Sequence, residues 1–398
     1  MNAMLTEQQR NNVLLTMAEL IQQKQSEILA VNKIEVEAYK GGDLAMYDRL
    51  KVDAAKIEGM VVSLQQLVAD VDPLNKELYN FTHTNGMNII NKTAPFGTVL
   101  IIYESRPDVT VEAAGIAFKS GNKILLKGGK ESAKSNSKIV ELWHQALETH
   151  NISTNWVTYL NYNRTETQAF LEKPTQKVDL IVPRGGEKLI EFVKQNATCP
   201  VIVSGRGNNF VYVDAEADLN VAINVIINAK TAKISACNAV DKVLIHDDLI
   251  SKTNFVKSLI EKLMAADVKI LGDAIISKYD HVKEIKNDEI WFEEFLDYKI
   301  VLGSIQNINE AIAKINKYGG GHSASIITKN NETAQIFMQS VDTAAVYQNA
   351  STRFTDGGQF GLGGELAIST DKLHHRGPMG LQHLVTNKWY IFGDGQIR

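Results

Sequence analysis

The 398-residue chain has only two cysteines, Cys199 and Cys237, and neither sits in a CxxC or Cys/His metal spacing. That excludes a disulfide framework and any zinc site readable from sequence. Seven prolines, and 22% charged against 44% hydrophobic residues, exclude collagen-like and disordered chains. No apolar run approaches the ~18 residues of a membrane span, and the polar start Met1–Arg10 is no secretory core. A net charge of −4, from 42 basic and 46 acidic residues, offers no global field for nucleic acid or anionic lipid. An anionic ligand would need a local site. The nine histidines show no HExxH or related spacing, and His322 and His374-His375 fall in turn-like stretches suited to solvated or structural roles. What remains is a globular chain for a reducing, cytoplasmic setting. Its length suggests two or three domains, able to bury about three quarters of the extended surface.

The first 70 residues carry helical spacing: Leu14, Met17 and Ile21 follow a Thr6/Gln9 capping box, and Ile57, Met60, Val61, Leu64 and Leu67 recur before the turn at Asp72-Pro73. Gly86–Lys92 alternates weakly, like a strand standing apart from the main sheet, with no partner visible. From Val99 short apolar runs at 99–103, 123–126, 156–160, 179–182 and 201–203 alternate with helix-like segments, one striped by Ile139, Leu142, Trp143 and Ala146. A second such series follows Cys237, with runs at 240–245, 299–302, 325–328 and 344–347 and a helix over 309–318. Both series predict parallel sheets covered by helices, hence two α/β lobes.

Glycine turns after strands expose N–H groups that attract phosphate. Lys127-Gly128-Gly129-Lys130 and Pro183-Arg184-Gly185-Gly186 are such turns, although neither has strict dinucleotide or P-loop spacing. Each is a phosphate cradle or an ordinary turn beside solvated lysines. Cys237 lies at a polar junction between a helix pattern and a strand. A thiol with a pKa of about 8.5 is ~3% thiolate at pH 7, and a shift to ~7 raises the available nucleophile about 15-fold, or ~1.6 kcal/mol. Cys237 is either that nucleophile or a small buried hydrophobe, the role that suits Cys199. Arg353, in the Gly-rich segment 349–363, either grips a carboxylate or phosphate bidentately or pairs within its loop.

Taken together, Tyr103-Glu104-Ser105-Arg106-Pro107-Asp108-Val109-Thr110, the segments 119–123, 126–131, 183–186 and 349–363, Cys237-Asn238-Ala239 and the ending Arg376-Gly377-Pro378-Met379-Gly380-Leu381…Lys388-Trp389 resemble the gamma-glutamyl phosphate reductases. These enzymes, also called glutamate-5-semialdehyde dehydrogenases, belong to the aldehyde dehydrogenase superfamily. The resemblance runs in order from about residue 45 to the C-terminus. It implies an aldehyde-dehydrogenase-like α/β fold: a Rossmann-type NADP-binding domain over 1–232 with an arm segment at about 79–96, an α/β catalytic domain over 233–370, and a C-terminal return and oligomerisation segment over 371–398. It also implies NADPH-dependent reduction of L-glutamyl 5-phosphate to L-glutamate 5-semialdehyde and phosphate, in proline biosynthesis, with substrate channelled from glutamate 5-kinase and a homo-oligomeric assembly.

By position, the resemblance makes Cys237 the nucleophile and Ser105 an oxyanion donor beside the Cys237 backbone N–H. Lys127, Gly128, Gly129, Lys130, Pro183, Arg184, Gly185, Gly186 and Glu294 would hold the cofactor, Lys130 meeting a 2′-phosphate. Arg106, Asn238 and Arg353 would bind substrate. The chain departs from the family pattern at Lys233–Ala236, where an Arg-Pro is usual, and at Asn209-Phe210, where a Cys-His pair is common; both departures fall on the approach to the site. The general-base Glu of hydrolytic aldehyde dehydrogenases has no counterpart, since Ile202 falls near that register. An oxidative aldehyde dehydrogenase and a non-catalytic binding or scaffold protein of this fold are the alternatives.

Overall fold

A computed structural model describes residues 4–42, 44–203 and 205–398. The N-terminal helix Glu7–Gln23 opens with the expected capping box of Thr6 and Gln9, which satisfies backbone donors that the first turn leaves without helical partners. It packs on the helix Ala54–Ala69, whose buried stripe is Ile57, Met60, Val61, Leu64 and Leu67. The chain divides into two compact units, one of Met1–Val203, Gly361–Ala367 and Met379–Arg398, the other of Ser204–Phe360 and Ile368–Pro378.

The first unit holds a parallel sheet ordered Val157–Tyr159, Lys123–Lys127, Thr98–Tyr103 and Leu180–Arg184 among the described residues. Alternate side chains feed two cores, as the period of a strand requires: Val99, Ile101, Ile124 and Val182 enter one, while Leu100, Ile102, Leu125 and Ile181 enter the other. Burying each such side chain contributes about 1.5–3 kcal/mol. Parallel pairing brings every carboxyl end to one edge of the sheet. There the chain order reverses at Thr98–Tyr103, whose successor lies on one side and Leu180–Arg184 on the other, the kind of switch point outside which open α/β sheets bind ligands. The run expected as a strand over 201–203 is reduced to a single bridge between Val201 and Ile181.

A separate antiparallel sheet of this unit supplies the partner that sequence did not reveal. Asn88–Pro95 pairs with Glu77–Thr82 on one side and with Val385–Phe392, near the C-terminus, on the other.

In the second unit, seven parallel strands among the described residues run in the order Val282–Glu284, Lys269–Gly272, Lys299–Ile305, Val240–His246, Asn209–Val213, Ser323–Ile327 and Ala345–Gln348. The second apolar series is present, together with three strands it lacked. Asn209–Val213 pairs centrally in this sheet, so the units divide after Val203, earlier than the 232/233 junction read from sequence. Likewise the segment 371–398 is shared, with residues 368–378 in the second unit and 379–398 in the first. No helix among the described residues is long and apolar enough to cross a membrane.

Candidate active site

Both glycine turns of the first unit lie at the carboxyl edge of its sheet. Neither tolerates a larger residue: a Cβ on Gly128 would overlap Asn136, one on Gly129 would overlap the Ser105 hydroxyl, and one on Gly185 would press the Glu104 carboxylate. Lys127 Nζ donates to the Gly128 carbonyl at 2.6 Å, and burial lowers its pKa against the opposing pull of Glu131. Lys130 is exposed at the head of the next short helix. On the other turn the Gly186 N–H donates to Glu104 Oε1 at 2.8 Å, while Glu104 Oε2 accepts from Arg49 at 2.9 Å. Pro183 and Arg184 end the strand, and the Arg184 carbonyl accepts from the Glu104 N–H. Cations beside close-packed glycine cradles fit the phosphates of a dinucleotide.

Ser105 and Arg106, on the intervening turn, are engaged elsewhere. The Ser105 hydroxyl donates to Glu131 Oε2 at 2.7 Å, so its proton is spent on a carboxylate instead of facing an oxyanion. Arg106 donates to Asp108 at 2.9 Å.

In the second unit Cys237 is half-buried in a turn closed by the Ala239 N–H donating to the Ala236 carbonyl, between the helix Leu219–Thr231 and the strand Val240–His246. Asn238 staples this turn to the loop that follows Ala345–Gln348. Its Nδ2 donates to the carbonyls of Thr355 and Arg353, at 2.9 and 3.2 Å, and its own carbonyl accepts from Thr352 Oγ1 at 2.7 Å. Its donors are thus occupied within the protein, and Asn238 acts by joining the loop to Cys237. Arg353 is brought beside the Cys237 turn, with Nε and Nη1 buried and without hydrogen-bond partners among the described residues. A guanidinium with buried, unused donors is the feature an anionic ligand would satisfy.

Glu294 joins the same turn from behind. Its Oε1 accepts from the Gly207 N–H at 3.0 Å, and a Cβ on Gly207 would overlap the Cys237 carbonyl. Both flanks of Glu294 are clamped: the Glu293 carbonyl accepts from Lys242 Nζ at 2.7 Å, and the Phe295 N–H donates to Asp241, itself paired with buried Lys230 at 2.9 Å. Burial pushes the Lys242 ammonium down to about 7, and it lies 3.8 Å from the centre of the Phe295 ring.

Three residues outside the sequence-derived set shape these sites. Glu104 occupies the amide of the second glycine turn. Asn208 Nδ2 holds the carbonyls of Trp291 and Tyr318, at 2.6 and 2.8 Å. Asn209 is wholly buried behind Cys237, so the departure at 209 is not on an approach to the site. The sequence marked Asn209 only as a departure from the family pattern and carried no signal for Asn208. Ile202 is buried in the first unit's core.

The aldehyde dehydrogenase family model matches residues 3–276. Gamma-glutamyl phosphate reductases from Clostridium botulinum (strain Eklund 17B / Type B) and Clostridium beijerinckii are 42% and 40% identical, covering 100% and 98% of this chain and 96% and 94% of the relatives. The crystal structure of gamma-glutamyl phosphate reductase from Thermotoga maritima superposes with a TM-score of 0.94 at 38% identity, over 100% of this chain and 95% of that one. An engineered glycolyl-CoA reductase with bound NADP+ shares the fold, with a TM-score of 0.68 at 16% identity over 97% of this chain and 92% of that one. Full-length identity and fold together place the chain in the gamma-glutamyl phosphate reductase family, within the aldehyde dehydrogenase family.

Proposed function

We propose that the chain reduces L-glutamyl 5-phosphate to L-glutamate 5-semialdehyde with release of phosphate, as a step of proline biosynthesis, through a thioester on Cys237. The observation that carries this reading is the Asn238 staple, which sets a nucleophile's turn against the loop presenting buried, unused donors of Arg353. Cys237 Sγ attacks the γ-acyl carbon, and the carbon–oxygen bond to phosphate breaks with its electron pair leaving on phosphate. Arg353 binds the departing phosphate or the α-carboxylate through its unused donors. A nicotinamide held by Lys127 to Lys130 and Pro183 to Gly186 would supply the hydride that reduces the thioester. Cys237 then leaves as thiolate when the thiohemiacetal collapses to the aldehyde. The resemblance supplies no general base to activate water, and a thioester without activated water survives until it is reduced.

The cofactor assignment rests on Lys127 to Lys130 and on Pro183 to Gly186, with Lys130 favouring NADPH through a 2′-phosphate. Ser105 supports the first glycine turn through Glu131. Glu294 is the residue for the nicotinamide ribose. The antiparallel arm exposes Tyr79, Phe81, Trp389 and Ile391, an apolar face that a second copy would cover, which supports a homo-oligomer; a cytoplasmic setting and supply of substrate by glutamate 5-kinase rest on the resemblance alone.

The test is the reverse reaction, oxidation of glutamate semialdehyde with NADP+ or NAD+, with and without phosphate. Phosphate dependence, lost in a folded Cys237→Ala protein, is expected. Equal rates without phosphate would point instead to an oxidative aldehyde dehydrogenase.

A further inference from the structure

Asn208 precedes and Asn209 begins an interior strand of the second unit's sheet, and Asn209 touches the backbone of Cys237. Asn209 is fully buried. Its Oδ1 accepts from the Ser323 N–H at 3.0 Å, which fixes the amide's orientation and turns Nδ2 toward three carbonyls. Those are the carbonyls of Gly207, Cys237 and Ala239, each at 2.7 Å. One side chain thus gathers the residue that donates to Glu294, the nucleophile, and the residue entering the strand.

We propose that Asn209 is the positioning residue for Cys237, an assignment that rests on the functional reading above. The Cys237 carbonyl can point only one way while it is bonded to the amide, so the peptide plane following the nucleophile is fixed, and with it the direction of the Cα–Cβ bond. Three carbonyl dipoles are also drawn onto one buried amide. Without that amide the carbonyls are free to reorient toward the neighbouring thiol, and carbonyl oxygens facing a thiolate raise its pKa. The same bond on Gly207 places its N–H for Glu294, so one amide sets two residues of the site in register.

The experiment compares wild type with Asn209→Ala and Asn209→Ser, the latter keeping one short donor. In the reverse reaction kcat should fall about 10–100-fold in Asn209→Ala, the cost of a small misplacement of a reacting group, with KM for the semialdehyde within threefold. Asn209→Ser should recover part of the loss. Iodoacetamide labelling against pH, read at each cysteine by mass spectrometry, should move the Cys237 midpoint upward by about one pH unit while Cys199 stays in place. A kcat within twofold of wild type or an unmoved Cys237 midpoint would overturn the assignment. So would failure of both variants to fold, since Asn209 would then be a structural residue. Absence of any turnover in wild type would remove the functional reading, and the labelling would still decide Asn209.

Discussion

A pyrophosphate seated on the Pro183–Gly186 turn, as proposed, would meet an amide already held by Glu104, so removing that carboxylate should tighten cofactor binding. The bond from Gly186 N–H to Glu104 Oε1 is 2.8 Å, with a charged acceptor. Such a bond contributes about 1.5–3 kcal/mol. The Arg49 pair that pins the same carboxylate is about a third exposed on each side, so screening limits it to roughly 0–1 kcal/mol. A diphosphate taking the Gly186 N–H must displace the carboxylate and pay its bond. Glu104→Ala removes that cost, so the Kd for NADPH should fall about 10–100-fold, at 1.4 kcal/mol per factor of ten. Arg49→Ala, which only loosens the carboxylate, should give a smaller gain. Titration of the folded proteins with NADPH by fluorescence, in the absence of substrate, measures both. An unchanged or weaker Kd in Glu104→Ala would refute the argument, because Glu104 and the cofactor would then not share the amide.

Other outcomes are open to direct measurement. Arg353→Lys keeps the charge but loses the planar fork, and the KM for phosphate in the reverse reaction should rise about tenfold or more; an unchanged KM would take Arg353 out of anion binding. Burial pushes the His322 imidazole down to about 4, so the unfolded chain holds the proton more tightly. Stability should therefore be full above pH 6.5 and fall by about 3 kcal/mol as pH drops from 6.5 to 4, a slope that His322→Gln should remove in denaturant titrations. Trp389→Glu, on the exposed arm face, should lower the mass seen by light scattering if that face joins two copies. The same mass in both proteins would place the joint elsewhere.

The fold was largely legible because its strands are short apolar runs between turns, and 99–103 or 299–302 could hardly be anything else. Asn209–Val213 escaped notice because its first residue is polar, and its identity as an interior strand depends on partners that begin at 240 and 324. The arm needed a pairing between Asn88 and Phe392, which no local pattern encodes. At the site, residue types pointed to Cys237, Arg353 and the glycine turns, since each has chemistry that few other residues supply. Hydrogen-bond partners were not legible. Whether Ser105 faces a substrate or Glu131, and whether Asn238 points outward or ties a loop, is decided by groups 26 and 115 or more residues away.

The first unit is discontinuous, and this has a consequence for how the protein is made. Its core includes Leu366, Met379 and Leu384, and the third strand of its arm is Val385–Phe392, all separated from residue 203 by the second unit's sequence. At 5–20 residues per second, a ribosome that has completed Val203 reaches Met379 only after roughly 10–35 s. During that interval the first unit waits with a gap in its core and Asn88–Pro95 exposed along one edge, a state prone to pairing with other chains. Synthesis of the second unit therefore sets the time for which the nascent first unit stays incomplete.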